Sequence, residues 1–290
     1  MVNRFADARI GLCVSAPAMS RLELVLEYVW WLTIAGHLLL FLRLRMTGLH
    51  RSYGCFSAYL LFRVLRAVLL IAVPWGVRLF ERKPNTPFAT NAYGWVWLLT
   101  DPAVWVFWVV VVLELYSLVL QNYKGIASLG RWVLLTGLAI GVAISVLTLQ
   151  ADLSNPAEKY PIVRLFLAID RSVASSLVIF LLVISCFLAW YPVPLSRNVV
   201  VHCIVYAGYF LSVTLVVLLR NLAGSGVTQV VSVLASCVTL VCLVVWVCLL
   251  NRAGESAKVR LRPRWAEGHE EELVGHLAAI NSTLLRAARK

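Results

Sequence analysis

Seven ionisable side chains interrupt the long apolar stretches of this chain, and they are its main candidates for chemistry. They are Glu27, Arg63, Arg66, Asp101, Glu114, Asp170 and Arg171. A charge at the centre of a membrane-spanning helix costs about 3 kcal/mol on insertion scales, so such groups usually face a bundle interior and find partners. The chemistry open to them is ion pairing, or binding of a cation, an amine or a proton-coupled solute.

Depth along the predicted helices sorts these residues into two groups. Arg63 and Glu114 fall near one level and have opposite charges, which predicts an inner intramembrane ion pair. The second group falls nearer the outer face. It forms the predicted ligand-binding site: Glu27, Asp101, Asp170, Arg171, Trp97 and Trp105.

The outer group has two interpretations. As a polar cavity, it holds three acids with only Arg171 to compensate them, and the excess negative charge favours a cation or an amine. As a structural network, its ion pairs fix the register of the helices and bind no ligand. Asp101 precedes Pro102, which also allows Asp101 to cap a helix start instead of lying deep in the bundle.

The elements that position these residues are predicted to be helices in a membrane. The chain is 61% hydrophobic and 14% charged, against about 45–50% and 25% in soluble domains. Lipid cannot satisfy open backbone groups, so the spanning segments must be helical. The sequence predicts an all-α bundle of seven transmembrane helices, at residues 22–42, 55–77, 95–120, 132–149, 163–190, 199–219 and 230–250. Span four carries Gly137, Gly141 and Ser145 at four-residue spacing, which favours close helix packing.

The distribution of Lys and Arg predicts the orientation and the domain plan. With the N-terminus outside, the inner segments hold 14 of these residues and the outer segments hold 9. We therefore expect an N-out/C-in, multi-pass protein of the cell inner (plasma) membrane. The predicted parts are a leader at 1–21, the seven-helix domain at 22–250 and a cytoplasmic tail at 251–290.

The tail has two predicted parts. Lys258, Arg260, Arg262 and Arg264 form a basic segment beside the membrane, which suits anionic lipid headgroups. A short amphipathic helix follows, because apolar residues recur at helical spacing at Leu273, Leu277, Ile280, Leu284 and Ala287. This helix could dock on the membrane, on the bundle or on a partner protein.

Motifs for catalysis, metals and cofactors are not recognised in the sequence. The last predicted span has no lysine for a retinal Schiff base. His37 and His202 could in principle pair on a haem, but packing histidines are commoner. His269, Glu270 and His276 do not have the spacing of a zinc-binding helix. The sequence therefore predicts no catalytic residue, no metal, no cofactor and no nucleic-acid partner.

Two short segments carry a family resemblance. The run Ala168-Ile-Asp-Arg-Ser172, at the start of span five, and the run Tyr206-Ala-Gly-Tyr-Phe-Leu-Ser212 resemble a group of uncharacterised bacterial seven-span membrane proteins. The resemblance implies the seven-span topology and no activity. From the sequence we expect a non-enzymatic, receptor-like or scaffolding protein that binds a small or lipidic ligand or a partner protein. The alternatives are a small-solute transporter and, third, a lipid-modifying enzyme.

Overall fold

The computed structural model describes residues 21–81, 87–121, 123–153, 161–190, 195–223, 228–259 and 267–287. This part of the chain is mostly helical. Its helices are α1 Arg21–Met46, α2 Gly54–Glu81, α3 Pro87–Val119, α4 Lys124–Leu153, α5 Pro161–Trp190, α6 Arg197–Ala223, α7 Thr228–Leu249, α8 Arg252–Ser256 and α9 Glu267–Ala287. A 3₁₀ turn, Leu49–Arg51, and two strands, β1 Leu195–Ser196 and β2 Lys258–Val259, complete it.

Within the described residues, five helices are long and apolar enough to cross a membrane. These stretches are Leu24–Met46, Gly54–Val73, Gly94–Val119, Arg197–Val216 and Val230–Leu249. A shorter apolar stretch, Ser172–Cys186, lies on α5. Each predicted span falls on one of the helices α1 to α7. The long apolar helices indicate a membrane-embedded protein, whereas the count of seven spans and the orientation remain predictions.

The chain forms two compact units, and α3 begins in one and ends in the other. Unit 1 comprises Met1–Trp108 and Leu222–Val247, and unit 2 comprises Val109–Asn221 and Cys248–Lys290. The predicted leader, residues 1–21, lies outside the described residues except for Arg21, with which α1 begins.

Aromatic contacts pack unit 1 around α2. Phe62 and Phe107 have ring centroids 5.0 Å apart, and Trp108 Nε1 donates to the Tyr59 hydroxyl over 3.2 Å. Tyr59 contacts Trp108, whereas Phe62, which comes later in α2, contacts Phe107, which comes earlier in α3. The two helices therefore run antiparallel. Nearer the start of α2, Phe56 packs against Trp246 of α7, with ring centroids 5.1 Å apart.

Unit 2 is built on α4, which packs along α5 on one side and against α9 on another. Leu273 and Leu277 of α9 are buried, while Ile280 is 46% exposed. The N–H of Gly125, in the first turn of α4, donates to Asn281 Oδ1 of α9 over 2.7 Å. Helix α9 therefore includes the predicted amphipathic stretch, and it docks on the N-terminal end of α4.

A second junction in unit 2 departs from the all-α expectation. Strands β1 and β2 pair antiparallel, with Leu195 opposite Val259 and Ser196 opposite Lys258. Of the four tail bases assigned to lipid headgroups, Lys258 therefore lies in a strand. Arg260, Arg262 and Arg264 lie outside the described residues. Two residues per strand are too few for a sequence pattern to reveal.

Candidate functional site

The best-defined polar contact of unit 1 is an ion pair between α2 and α3. Arg66 Nη2 donates to Asp101 Oδ1 over 2.6 Å, and the side chains are 8% and 15% exposed. Arg66 Nε also donates to Thr100 Oγ1 over 2.9 Å. One guanidinium thus serves two adjacent acceptors on α3, and the fork of Arg suits this arrangement.

The α3 backbone around Asp101 is adapted to hold this contact. The Thr100 hydroxyl donates to the Val96 carbonyl over 2.7 Å, so its lone pairs point toward Arg66. Pro102 has no N–H and leaves the Leu98 carbonyl without its usual helical donor. Asp101 lies 14 residues after Pro87, where α3 begins, so the helix-capping interpretation of Asp101 is wrong.

Arg66 is the residue that the sequence analysis left without an assignment. It lies 15 residues before Glu81, the end of α2, and Asp101 lies 14 residues after the start of α3. Nearly equal distances from a short connection place two residues at about the same level of an antiparallel helix pair. Counting residues along each helix from this connection would therefore have paired Arg66 with Asp101. The expectation that only Arg171 compensates the three outer acids is wrong for Asp101.

The other residues of the predicted outer site fall in both units. Glu27, Trp97 and Trp105 belong to unit 1 and are half-buried, and Asp170 of unit 2 is half-buried as well. The Arg171 side chain lies outside the described part of the chain. A cavity that joins Asp101 with Asp170 stays a prediction.

The inner pair also joins residues of different units. Arg63 belongs to unit 1 and Glu114 to unit 2, and both are half-buried. Their pairing stays a prediction. Within unit 1, Arg63 lies in electrostatic range of Asp101 and of buried His37. Unit 1 thus gathers two arginines, an aspartate and a histidine in one region.

An apolar groove of about 380 Å³ opens in unit 2 among the end of α3, the first half of α4 and the middle of α5. Tyr116 of α3 and Leu120, the residue that follows α3, line one part of it. Helix α4 contributes Ile126, Leu129, Gly130, Val133, Leu134, Gly137 and Leu138. Helix α5 contributes Ser176, Ile179, Phe180, Val183 and Ile184. Among these described lining residues, only Tyr116 and Ser176 carry polar side chains.

Tyr116 forms one wall of the groove, and Gly130 makes room for it. The Tyr116 hydroxyl donates to the Ile126 carbonyl over 2.8 Å, and its ring packs against Phe180 at 5.2 Å. A Cβ atom on Gly130 would overlap the Tyr116 phenol. The hydroxyl is therefore satisfied inside the protein, and the ring presents an apolar surface to the groove.

Two glycines of the predicted small-residue stripe act differently. A Cβ atom on Gly141 would lie 3.1 Å from Ser176 Oγ, so Gly141 lets α4 and α5 approach closely. A Cβ atom on Gly137 would meet nothing within 4 Å, and Gly137 leaves space open in the groove. Within the stripe, Gly141 thus allows close packing of α4 and α5, and Gly137 adds volume to the groove.

Arg131 lies beside the groove, whereas Trp132 and Lys124 lie near it along α4 but on the side of the helix that faces away from the lining. Arg131 follows the lining residue Gly130, is exposed, and lies in electrostatic range of the Tyr116 phenol. Trp132 beside it is 70% exposed, and Lys124 is exposed at the start of α4. The site therefore combines an apolar interior with positive charge at its edge.

In the described ranges, no group of three or more His, Cys, Asp or Glu side chains is placed to hold a metal ion. Comparison of the chain with protein-family models, with curated proteins and with solved structures finds no match. The resemblance to bacterial seven-span membrane proteins stays a prediction.

Proposed function

We propose that this chain is a non-enzymatic, multi-pass protein of the inner membrane that acts as a receptor-like or scaffolding bundle and binds a lipidic ligand. The observation that carries this proposal is the groove of about 380 Å³ in unit 2. Ligand pockets are commonly about 300–1,000 Å³, mostly apolar, with a few polar groups. A groove of this size with two polar lining side chains suits an acyl chain better than a hydrophilic solute.

The N-out/C-in orientation is part of the proposal, and it requires three segments of unit 2 to lie on the same side of the membrane. Three segments expected on the inner side are the start of α4, the α5–α6 connection and the tail. Gly125 contacts Asn281 of the tail, and the N–H of Arg197 donates to the tail carbonyl of Ala257 over 2.9 Å. The tail thus contacts each of the other two segments, as a common side for all three requires. Topology reporters fused after Gly254 and within residues 84–92 test the orientation, and an external C-terminus would refute it.

Lipid binding is tested by identifying the lipids that stay with the purified chain. Native mass spectrometry of the wild type should show one retained lipid. Gly137→Leu fills open groove volume and should lose that lipid. Ile140→Phe adds bulk to the same helix at a 55% exposed position outside the groove lining, and it serves as the matched control. Equal lipid retention by all three proteins would contradict the proposal.

The scaffolding role rests on α9. Its inner face packs on α4, while Val274, Ile280 and Leu285 remain 42%, 46% and 39% exposed. Ile280 borders the buried face, whereas Val274 and Leu285 lie about 20° apart around the helix and are available to a partner protein at the predicted cytoplasmic face. Pull-down with the full chain, compared between wild type and Val274→Glu, tests this part.

A transporter remains the second candidate, favoured by the ionisable cluster of Arg63, Arg66, Asp101 and His37 in unit 1. Paired ionisable residues inside membranes commonly mark solute or proton pathways. Because Asp101 is held by Arg66, a cation would have to displace an existing partner. Solute or proton flux in liposomes that vanishes with Asp101→Asn would support transport over ligand binding alone.

A further inference from the structure

We propose that the groove of unit 2 binds an anionic phospholipid of the surrounding bilayer, with an acyl chain along α4 and the phosphate at Arg131. This inference rests on the proposed lipid-binding function and adds the headgroup class and the position of the headgroup.

The length of the groove fits an amphiphile that crosses from the membrane surface into the hydrocarbon. Its lining on α4 runs from Ile126 to Leu138, which is about 18 Å at 1.5 Å per residue. One leaflet contributes about 15 Å of hydrocarbon. Arg131 and Trp132 lie in the middle of this length, and Arg and Trp are typical of the interface. The groove therefore extends both above and below the headgroup level.

The charge around the groove selects the headgroup. Arg131 and Lys124 are both exposed on α4, on the side expected to face the cytoplasm. Side chains on a helix tilt toward its N-terminus, so Arg131 extends toward the membrane surface. Each basic residue near the surface of an anionic leaflet contributes about 1 kcal/mol of attraction. A zwitterionic headgroup would gain less from these two cations than phosphatidylglycerol would.

The shape of the groove favours a single flexible chain. Gly137 leaves open space, and Tyr116 and Phe180 form a smooth aromatic wall. Ser176, the other polar lining residue, lies close to Gly141 at the deep end. The two polar lining groups, the Tyr116 hydroxyl and Ser176, therefore lie near opposite ends of the lining, and the lining between them is apolar, as an acyl chain requires.

The test uses the full chain in nanodiscs and two photoreactive phospholipids with the same diazirine-bearing acyl chain. One probe has a phosphatidylglycerol headgroup and the other a phosphatidylcholine headgroup. Labelled peptides are mapped by mass spectrometry. We expect the glycerol probe to label residues 126–138 and 176–184 more strongly. Arg131→Gln should reduce that preference about fivefold, the equivalent of one lost cation.

A second variant distinguishes lipid binding in the groove from the preference for an anionic headgroup. Gly137→Leu should reduce groove labelling by both probes about tenfold, because it displaces buried methylenes. Ile140→Phe should leave labelling unchanged. Equal labelling by both headgroups, or no effect of Arg131→Gln, overturns the anionic assignment while lipid binding stands. Labelling that Gly137→Leu does not change overturns both.

Discussion

Arg66 of α2 and Asp101 of α3 form an ion pair with a nitrogen–oxygen distance of 2.6 Å, and both side chains are largely buried. The second guanidinium contact, to Thr100, fixes the rotation of α3 about its own axis. The pair thereby ties two antiparallel helices at one register. Its value to the fold depends on both partners, since a single buried charge is worse than none.

Breaking this pair on one side should destabilise the protein more than removing it altogether. Asp101→Asn leaves the Arg66 charge without its carboxylate and should cost about 3 kcal/mol. The joint change Arg66→Met with Asp101→Leu should cost less. Thr100→Val removes the hydroxyl that accepts from Arg66 and donates to the Val96 carbonyl but leaves the ion pair in place, so it should cost about 1 kcal/mol and is the control. Unfolding in mixed detergent measures all three, and a double variant as unstable as Asp101→Asn would refute the argument.

The sequence predicted the positions of the helices well, because long apolar blocks are a strong signal. It did not pair Arg66 with Asp101, because depth was counted from uncertain membrane edges and not from the connection at residues 82–86. The groove was also missed. Its lining comes from three helices, and the spacing on α4 alone indicated only close packing at Gly137 and Gly141. The two-residue strands carry no periodicity, so the β1–β2 junction was not predictable.

Two glycines on the same face of α4 should respond oppositely to alanine. Gly130→Ala forces the Tyr116 ring to move, and overpacking of about 2 kcal/mol outweighs a gain of about 1 kcal/mol in helix propensity. Gly137→Ala meets open space and should be neutral or slightly stabilising. Thermal unfolding of the two variants in one detergent compares them directly. Equal stability would show that Tyr116 does not occupy the space beside Gly130.

The docking of α9 on α4 should depend on Asn281. Its side-chain oxygen accepts from the buried Gly125 N–H, and Asn281→Ala removes this helix cap at a cost of about 1 kcal/mol. We expect faster hydrogen exchange over α9 and faster proteolysis of the tail. Ser282→Ala changes the next residue, which is exposed and bonds only within α9 to the Ala279 carbonyl, and it should change neither. If both variants exchange alike, α9 is held by Leu273 and Leu277 alone.

The junction between the start of α6 and the tail should be the most sensitive point of unit 2 outside the groove. Asn198 is fully buried, and its Nδ2 donates to the Asn251 carbonyl over 2.8 Å and to Glu255 Oε2 over 3.1 Å. The Gly254 N–H donates to Asn251 Oδ1 over 2.6 Å, which starts α8. A Cβ atom on Gly254 would overlap Asn198 Oδ1, so only glycine fits there.

Gly254→Ala should therefore separate Asn198 from both of its acceptors. Buried polar groups that lose their partners cost about 1–3 kcal/mol each, so we expect a loss of about 2 kcal/mol. Hydrogen exchange should rise over residues 195–198 and 251–259 together, because the β1–β2 pair depends on the same junction. Gly275→Ala is the matched control, since a Cβ atom there meets nothing within 4 Å. Unchanged exchange at both segments in Gly254→Ala would show that the Asn198 contacts do not hold the tail to α6.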